Sequence, residues 1–149
     1  MTALDDLLLA DPATVAALAD DLAARHRVEA LSVPRAGLAL LQHADAVFDE
    51  PFHLGEVPLA TAAVSVTASD GRSAQGAAAV MDDHAERATA LAICDAVLRA
   101  GLDGADAVAA LAAAGARVRA DREARRAGAR AATTVAFVEL GQDDEDDSA

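Results

Sequence analysis

Glu86 and the neighbouring His84 are two of the three candidate catalytic residues, although no complete set of nucleophile, base and metal ligands stands out in the sequence. Glu86 continues the apolar face of a predicted helix at its first turn, where a carboxylate suits the positive end of the helix dipole. His84 stands two residues before it, and histidine titrates near neutral pH. The functional interpretation of Glu86, and equally of Glu56, is a buried polar contact at a site or subunit interface. The ordinary alternative for Glu86 is a partly buried capping residue.

Glu56 is the third candidate catalytic residue. It follows the segment Phe52-His53-Leu54-Gly55, and a glycine inside a strand often marks a place where a ligand or another backbone comes close. The ordinary alternative is a surface residue at the end of a strand. The three candidate catalytic residues are therefore Glu56, Glu86 and His84.

Other common catalytic and metal-binding patterns are missing from the sequence. There is no lysine, so the usual phosphate-binding loop cannot be present. The single cysteine, Cys94, excludes a zinc or iron–sulfur site built on cysteines, and we expect it to be a buried small hydrophobe. The four histidines are scattered without a metal-binding spacing, so we expect no metal site. We also expect no cofactor to be bound by this chain alone.

Charge restricts the possible partners. The net charge is −13, and all twelve basic residues are arginine. Nucleic acid and an anionic membrane surface are therefore unlikely partners, because both repel such a chain. An Asp-rich surface without lysine favours a halophilic, haloarchaeal cytoplasm, where salt screens the carboxylates. A GC-rich bacterial genome is the alternative explanation of the composition.

One basic stretch stands against this acidic background. Arg119, Arg122, Arg126 and Arg130 have helical spacing within the run from Arg117 to Arg130. Such a run is either a solvated helix face paired with the chain's own acids, or a contact with an acidic partner or a phosphorylated ligand. The sequence leaves both interpretations open.

Helices are predicted at both ends of the chain. Residues 2–9 form a short amphipathic helix, and a second helix begins at the cap Asp11 and Pro12. A third spans 83–99 and ends at Gly101. Its apolar stripe is predicted to be buried, with i,i+4 pairs Asp83–Arg87 and Asp95–Arg99 outside. A fourth stretch begins near Asp103 or Asp106, with possible breaks at Gly115 and Gly128.

Strands are predicted between these helices. Val28–Val33, Leu38–Gln42 and Phe48–Leu54 read as separate strands, interrupted by Pro34 and Gly37. A hairpin follows, with alternating apolar residues from Ala60 to Val66 and a turn at residues 69–71. We therefore expect an α+β fold in which helices cover one face of an antiparallel sheet of about four strands. Phe48, Phe52 and Phe137 are expected to be the only large rings of its core.

The expected organisation is one α+β domain over residues 1–140, followed by an acidic, disordered tail over 141–149. Residues 133–138 are β-prone. The N-terminus is acidic and no segment is apolar for about 18 residues, so neither a signal peptide nor a membrane span is predicted. A cytoplasmic location is expected.

Four stretches, in order along the chain, resemble the PhnG family, whose members are subunits of the carbon–phosphorus lyase core complex. They are Pro34-Arg35-Ala36-Gly37-Leu38, Pro51-Phe52-His53-Leu54-Gly55-Glu56, His84-Ala85-Glu86-Arg87 with Asp95-Ala96-Val97-Leu98, and Ala132-Thr133-Thr134-Val135-Ala136-Phe137. Members of the family usually have arginine where this chain has Thr61, and they often have arginine where it has Thr134.

The resemblance implies an activity that belongs to a complex. In this family the complex takes MgATP and an alkylphosphonate, and the phosphonate displaces adenine at C1′ of the ribose to give a ribose 1-phosphonate 5-triphosphate. The chemistry is centred on a larger synthase subunit, and a different subunit with an iron–sulfur cluster later breaks the C–P bond. The chain is therefore expected to be inactive alone and to bind the larger subunit and other subunits of the complex. The alternatives are a non-catalytic scaffold and a stand-alone acidic domain that binds a small ligand.

Overall fold

The computed structural model describes residues 3–45, 47–48 and 50–133. In chain order the elements are α1 (Ala3–Leu7), α2 (Pro12–Arg25), β1 (Arg27–Ala44), β2 (Pro51–Thr67), β3 (Ser73–Val80), α3 (Ala85–Ala100) and α4 (Ala105–Ala132). The predicted acidic tail, Phe137 and most of the β-prone segment 133–138 lie outside the described residues.

Helix ends follow the local signals that the sequence carries. Asp11 caps α2, because its carboxylate accepts a hydrogen bond from the Thr14 backbone at 2.9 Å. Pro12 occupies the first turn of the helix, where its missing N–H has no cost. Gly101 ends α3 in the left-handed conformation, with φ of 57°. These predicted helix boundaries are confirmed.

The sheet is antiparallel, with the order β1-β2-β3. The fold is α+β as expected, and the described residues form three strands where about four were predicted. The hairpin between β2 and β3 is confirmed, and Gly71 in its turn has φ of 86°. The strands predicted at Val28–Val33 and Leu38–Gln42 are one strand, β1, and the start of β2 takes up most of Phe48–Leu54.

Pro34 and Gly37 do not interrupt β1, because β1 is an edge strand. Proline is tolerated on an edge where its missing N–H faces away from the ladder. The pairing with β2 shifts register between Ala30 and Ser32 and again between Ser32 and Arg35, and then runs on regularly from Arg35 to Leu41. The irregular pairing therefore lies around Pro34, and the strand continues past it.

The core lies between one face of the sheet and α3. Alternate residues of β2, from Ala60 to Val66, are buried beneath the helix. Gly76 of β3 lies so close to α3 that a Cβ there would overlap the carbonyl oxygen of Ala92. Buried side chains of α1, α2 and α4 complete the core around α3, with Leu7, Val15, Leu22 and Val108 among them.

Helix α4 runs through both glycines that were predicted as possible breaks. Gly115 serves a close approach instead, because a Cβ there would overlap the backbone of Asp6 in α1. Arg119 binds the Asp6 carboxylate beside it at 2.8 Å. Beyond Ala120 every described residue of α4 is exposed. None of the described helices combines the length and apolar character that crossing a lipid bilayer requires.

The expectation that phenylalanine fills the core is wrong for the described rings. Phe48 is 75% exposed and Phe52 is 45% exposed. Phe52 lies in the part of the β1–β2 pair that extends beyond β3, and Phe48 lies in the turn that joins the two strands. No described helix buries either ring. The core is made from Ala, Val, Leu, Ile and Cys94 instead.

Candidate functional site

An open pocket between the first halves of α2 and α3 holds two of the three predicted residues. Its volume is about 540 Å³. Most of its wall is apolar, and four ionisable side chains line the rest: Asp82, His84, Glu86 and Arg87. The pocket lies where the chain passes from β3 into α3, so this junction and the first turn of α3 position the four groups.

His84 is held by two carboxylates. Its Nδ1 lies 2.8 Å from Asp82 Oδ1 and 2.6 Å from Asp83 Oδ1. The hydrogen bond with Asp82, the charge of Asp83 and more weakly that of Glu86 raise the pKa of the imidazole above its usual range. Among the described residues nothing binds Nε2. A histidine oriented through Nδ1 with Nε2 open has the geometry of a general acid.

Arg87 ties the pocket to the N-terminal segment. Its guanidinium donates to Asp82 at 2.7 Å and to the Leu8 carbonyl at 3.2 Å. Hydrogen bonds from His84 and Arg87 hold the pKa of the Asp82 carboxyl well below its usual range. The predicted Asp83–Arg87 pair is wrong, because Asp83 precedes the helix and binds His84 while Asp82 reaches the guanidinium. The predicted Asp95–Arg99 pair is confirmed at 2.8 Å.

Glu86 is exposed at the wall of the pocket, and the prediction that it is partly buried is wrong for this chain. The stripe of α3 is buried from Ala90 onward. One turn earlier the same helix face borders the open pocket, so the carboxylate lies beside apolar walls without being enclosed by them.

Glu56 lies away from this pocket. It is on β2 opposite Leu40, four residues beyond the last buried position, Ala60, which is about 13 Å along a strand. Gly55 beside it has φ of 131° and open space around its Cα. The pocket therefore brings together His84 and Glu86 and does not include Glu56.

Asp82, Asp83 and His84 offer ligand atoms within 4.8 Å of one another. A divalent cation would compete there with Arg87 for Asp82 and would need the imidazole to lose its Nδ1 proton.

Arg87 and Asp82 were missed by sequence reasoning as site residues. The only signal was their place in the segment that joins a strand to a helix.

Cys94 is buried in α3 as expected, and burial raises the pKa of its thiol to about 11.

In the basic run of α4, Arg119 pairs with Asp6. Arg122, Arg126 and Arg130 form no ion pair with any described residue. The run is therefore only partly a face paired with the chain's own acids.

Comparison with known proteins identifies the family. A family model described as "Phosphonate metabolism protein PhnG" matches residues 2–141. None of the curated proteins compared with the chain matches it. The match covers every described element and all four stretches on which the resemblance rests. The chain therefore belongs to the PhnG family of phosphonate metabolism proteins, subunits of the carbon–phosphorus lyase complex.

Proposed function

We propose that the chain is a subunit of α-D-ribose 1-methylphosphonate 5-triphosphate synthase and is inactive alone. The complex would transfer the ribose 5-triphosphate moiety of MgATP to an alkylphosphonate and release adenine. The observation that carries the proposal is the family match over residues 2–141. MgATP enters as a substrate of the complex, and the larger synthase subunit is the partner that supplies the rest of the site.

In the proposed reaction a phosphonate oxygen forms a bond to C1′ of the ribose while the bond from C1′ to adenine N9 breaks. The electron pair of that bond goes to adenine, which takes up a proton as it leaves. His84 is suited to supply the proton, because Asp82 and Asp83 favour its protonated form and leave Nε2 open. Glu86, beside the same pocket, would orient a substrate hydroxyl or a partner's cation.

The second candidate is a scaffold that only stabilises the larger subunit. The absence of Glu56 from the pocket favours it, because the three predicted residues do not form one convergent site within the described chain. A large uncovered strand pair also favours a role in assembly. The two roles predict different effects of substitutions on assembly and on turnover.

Reconstitution with the larger synthase subunit of the same organism distinguishes the two. Adenine release from MgATP and methylphosphonate is measured beside complex formation, for the wild type and for His84→Ala, Glu86→Ala and Glu56→Ala. The exposed Glu123→Ala on α4 is the control. A catalytic role predicts intact assembly with turnover lowered about 100-fold for His84→Ala. A scaffold role predicts lost assembly, and three variants with unchanged assembly and turnover would remove the site assignment.

We also propose that the acidic surface is an adaptation to a cytoplasm rich in salt. With a net charge of −13 and no lysine, the folded chain repels itself unless counterions screen it. Dilution of KCl from molar to about 0.1 M, where the Debye length reaches ~10 Å, should lower the melting temperature. A melting temperature that is independent of KCl would contradict the halophilic interpretation.

A further inference from the structure

We propose that the far part of the β1–β2 pair inserts into a groove of a different, larger subunit, which covers both of its faces. This part, residues 37–44 with residues 51–59, is called the ribbon below. The identity of the partner as the synthase subunit rests on the proposed function. The mode of docking rests on the ribbon itself.

The ribbon extends beyond the rest of the described structure, which is called the body below, because β3 is shorter than β1 and β2. Val80, the last residue of β3, pairs with Ala60. Beyond that pair, β2 continues to Pro51 and β1 to Ala44 with no third strand among the described residues. No residue of the ribbon is buried. A two-stranded hairpin with nothing packed on it is only marginally stable in water.

Large apolar side chains lie on both faces of the ribbon. Successive side chains of a strand point to opposite faces. Leu38 and Leu40 therefore share one face, and they are 69% and 57% exposed. Leu41 and the pair His43–Phe52 lie on the other face, with ring centroids 5.4 Å apart. Exposed apolar patches of this kind mark interaction sites.

Two large apolar side chains, Val47 and Phe48, lie at the tip of the ribbon, and Asp45 binds the backbone of both. Val47 is 79% exposed and Phe48 is 75% exposed. The Asp45 carboxylate accepts hydrogen bonds from both of their backbone N–H groups, at 2.6 and 3.2 Å. Its own N–H donates to the Glu50 carbonyl at 2.9 Å. A preorganised aromatic tip suits insertion into a pocket, where such residues dominate binding energy.

The edges of the ribbon lack the protection found on the body. On β3 the outward N–H of Ala77 donates to the Asp95 carboxylate at 3.4 Å, which blocks that edge. The outer edge of β1 pairs with no described strand, and residues 36–44 contain neither a carboxylate nor an arginine. Charged residues are the usual means of keeping strand edges from pairing. An edge without them is open to a partner strand.

Size and charge favour a larger partner over a second copy. The eight residue pairs from Gly37–Leu59 to Ala44–Pro51 give a ribbon ~27 Å long and ~10 Å wide. Its two faces together have a projected area of ~540 Å², about two thirds of the ~800 Å² that each partner contributes to a standard interface. Edge-to-edge pairing with a second copy would leave both faces bare. It would also bring together two chains of charge −13.

The test compares serine substitutions in the full chain. Val47→Ser with Phe48→Ser removes the tip, and Leu38→Ser with Leu40→Ser removes one face. Val118→Ser, at a residue 38% exposed on α4, is the matched control. Affinity for the larger synthase subunit is measured by calorimetry, and circular dichroism checks that each variant is folded. We expect the tip variant to bind about 30-fold more weakly or worse, and the control to bind as the wild type does.

Adenine release is assayed separately, so the inference and the proposed activity can fail independently. A wild-type complex that assembles through the ribbon but releases no adenine would contradict the activity and support the docking mode. Wild-type affinity in folded tip and face variants would overturn the docking mode whatever the activity. A wild-type dimer in light scattering that the tip variant abolishes would also overturn it, because the occupant would then be a second copy.

Discussion

The body half of the sheet and the ribbon are made from the same two strands, yet they use apolar residues in opposite ways. Beneath α3, β2 buries Ala60, Ala62, Val64 and Val66, which are small. In the ribbon the large apolar residues, leucine and phenylalanine, are exposed. Large apolar residues are normally the ones found inside. The difference indicates that the body is complete by itself, whereas the ribbon is the inner part of an interface whose other side belongs to another chain.

Two glycines give the largest contrast in stability. Gly76→Ala places a Cβ on the carbonyl oxygen of Ala92, so α3 must move away from the sheet. We expect a loss of about 3 kcal/mol or more in the free energy of unfolding. Gly37→Ala in the ribbon meets nothing within 4 Å, and we expect a change within about 0.5 kcal/mol. Urea unfolding in molar KCl measures both, and equal losses would mean that the ribbon is packed in the free chain.

Truncation of a leucine side chain should also destabilise the body more than the ribbon. Leu91 is 1% exposed in α3, and Leu91→Ala should cost roughly 2–5 kcal/mol. Leu40→Ala in the ribbon should change the stability of the free chain by less than about 0.5 kcal/mol. The same urea titrations give both values. A costly Leu40→Ala would contradict the view that the ribbon is uncovered until it binds a partner.

Thiol labelling separates the two regions by access. Cys94 is buried, and burial raises the pKa of its thiol to about 11, so it should react with Ellman's reagent only after unfolding. Val47→Cys adds a thiol at the exposed tip of the ribbon. One rapid equivalent is expected from the native variant and none from the native wild type. Rapid labelling of the wild type would show that α3 does not bury Cys94.

Among these predictions the contribution of His84 to stability is expected to be the smallest, and the direction of its pH dependence follows from the pKa shift. Its pKa is raised in the folded chain, mainly by the hydrogen bond with Asp82 and the charge of Asp83. The stabilisation is therefore fully present below about pH 6.5 and is lost as pH rises through the folded-state pKa. The melting-temperature difference between wild type and His84→Gln should shrink with rising pH. In an Asp82→Asn background, NMR titration should place the pKa of His84 nearer its ordinary value.

Sequence alone predicted what local chemistry decides. The cap at Asp11 and Pro12, the left-handed Gly101 and the turn at residues 69–71 depend only on near neighbours, and all three are confirmed. The continuity of β1 was missed, because Pro34 reads as a break unless the strand is known to be an edge. Gly115 was read as a break for the same reason, since its contact with Asp6 comes from 109 residues away along the chain.

The candidate site was predicted only in part. The helix periodicity placed Glu86 on the correct face but could not reveal that the face borders an open pocket there. Asp82 and Arg87 escaped notice because their pairing spans the junction between a strand and a helix. The exposure of Phe48 and Phe52 could not be foreseen, because a rule that places aromatics inside assumes that the chain supplies its own cover.

Hydrogen–deuterium exchange of the chain, free and bound to the larger synthase subunit, tests the contrast most directly. In the free chain the ribbon amides should exchange rapidly, while those of α3 and residues 60–67 are protected by the core. Assembly should slow exchange across residues 37–44 and 51–59 by at least about tenfold and leave the body nearly unchanged. Ribbon amides that exchange equally fast with and without a bound partner would contradict the account.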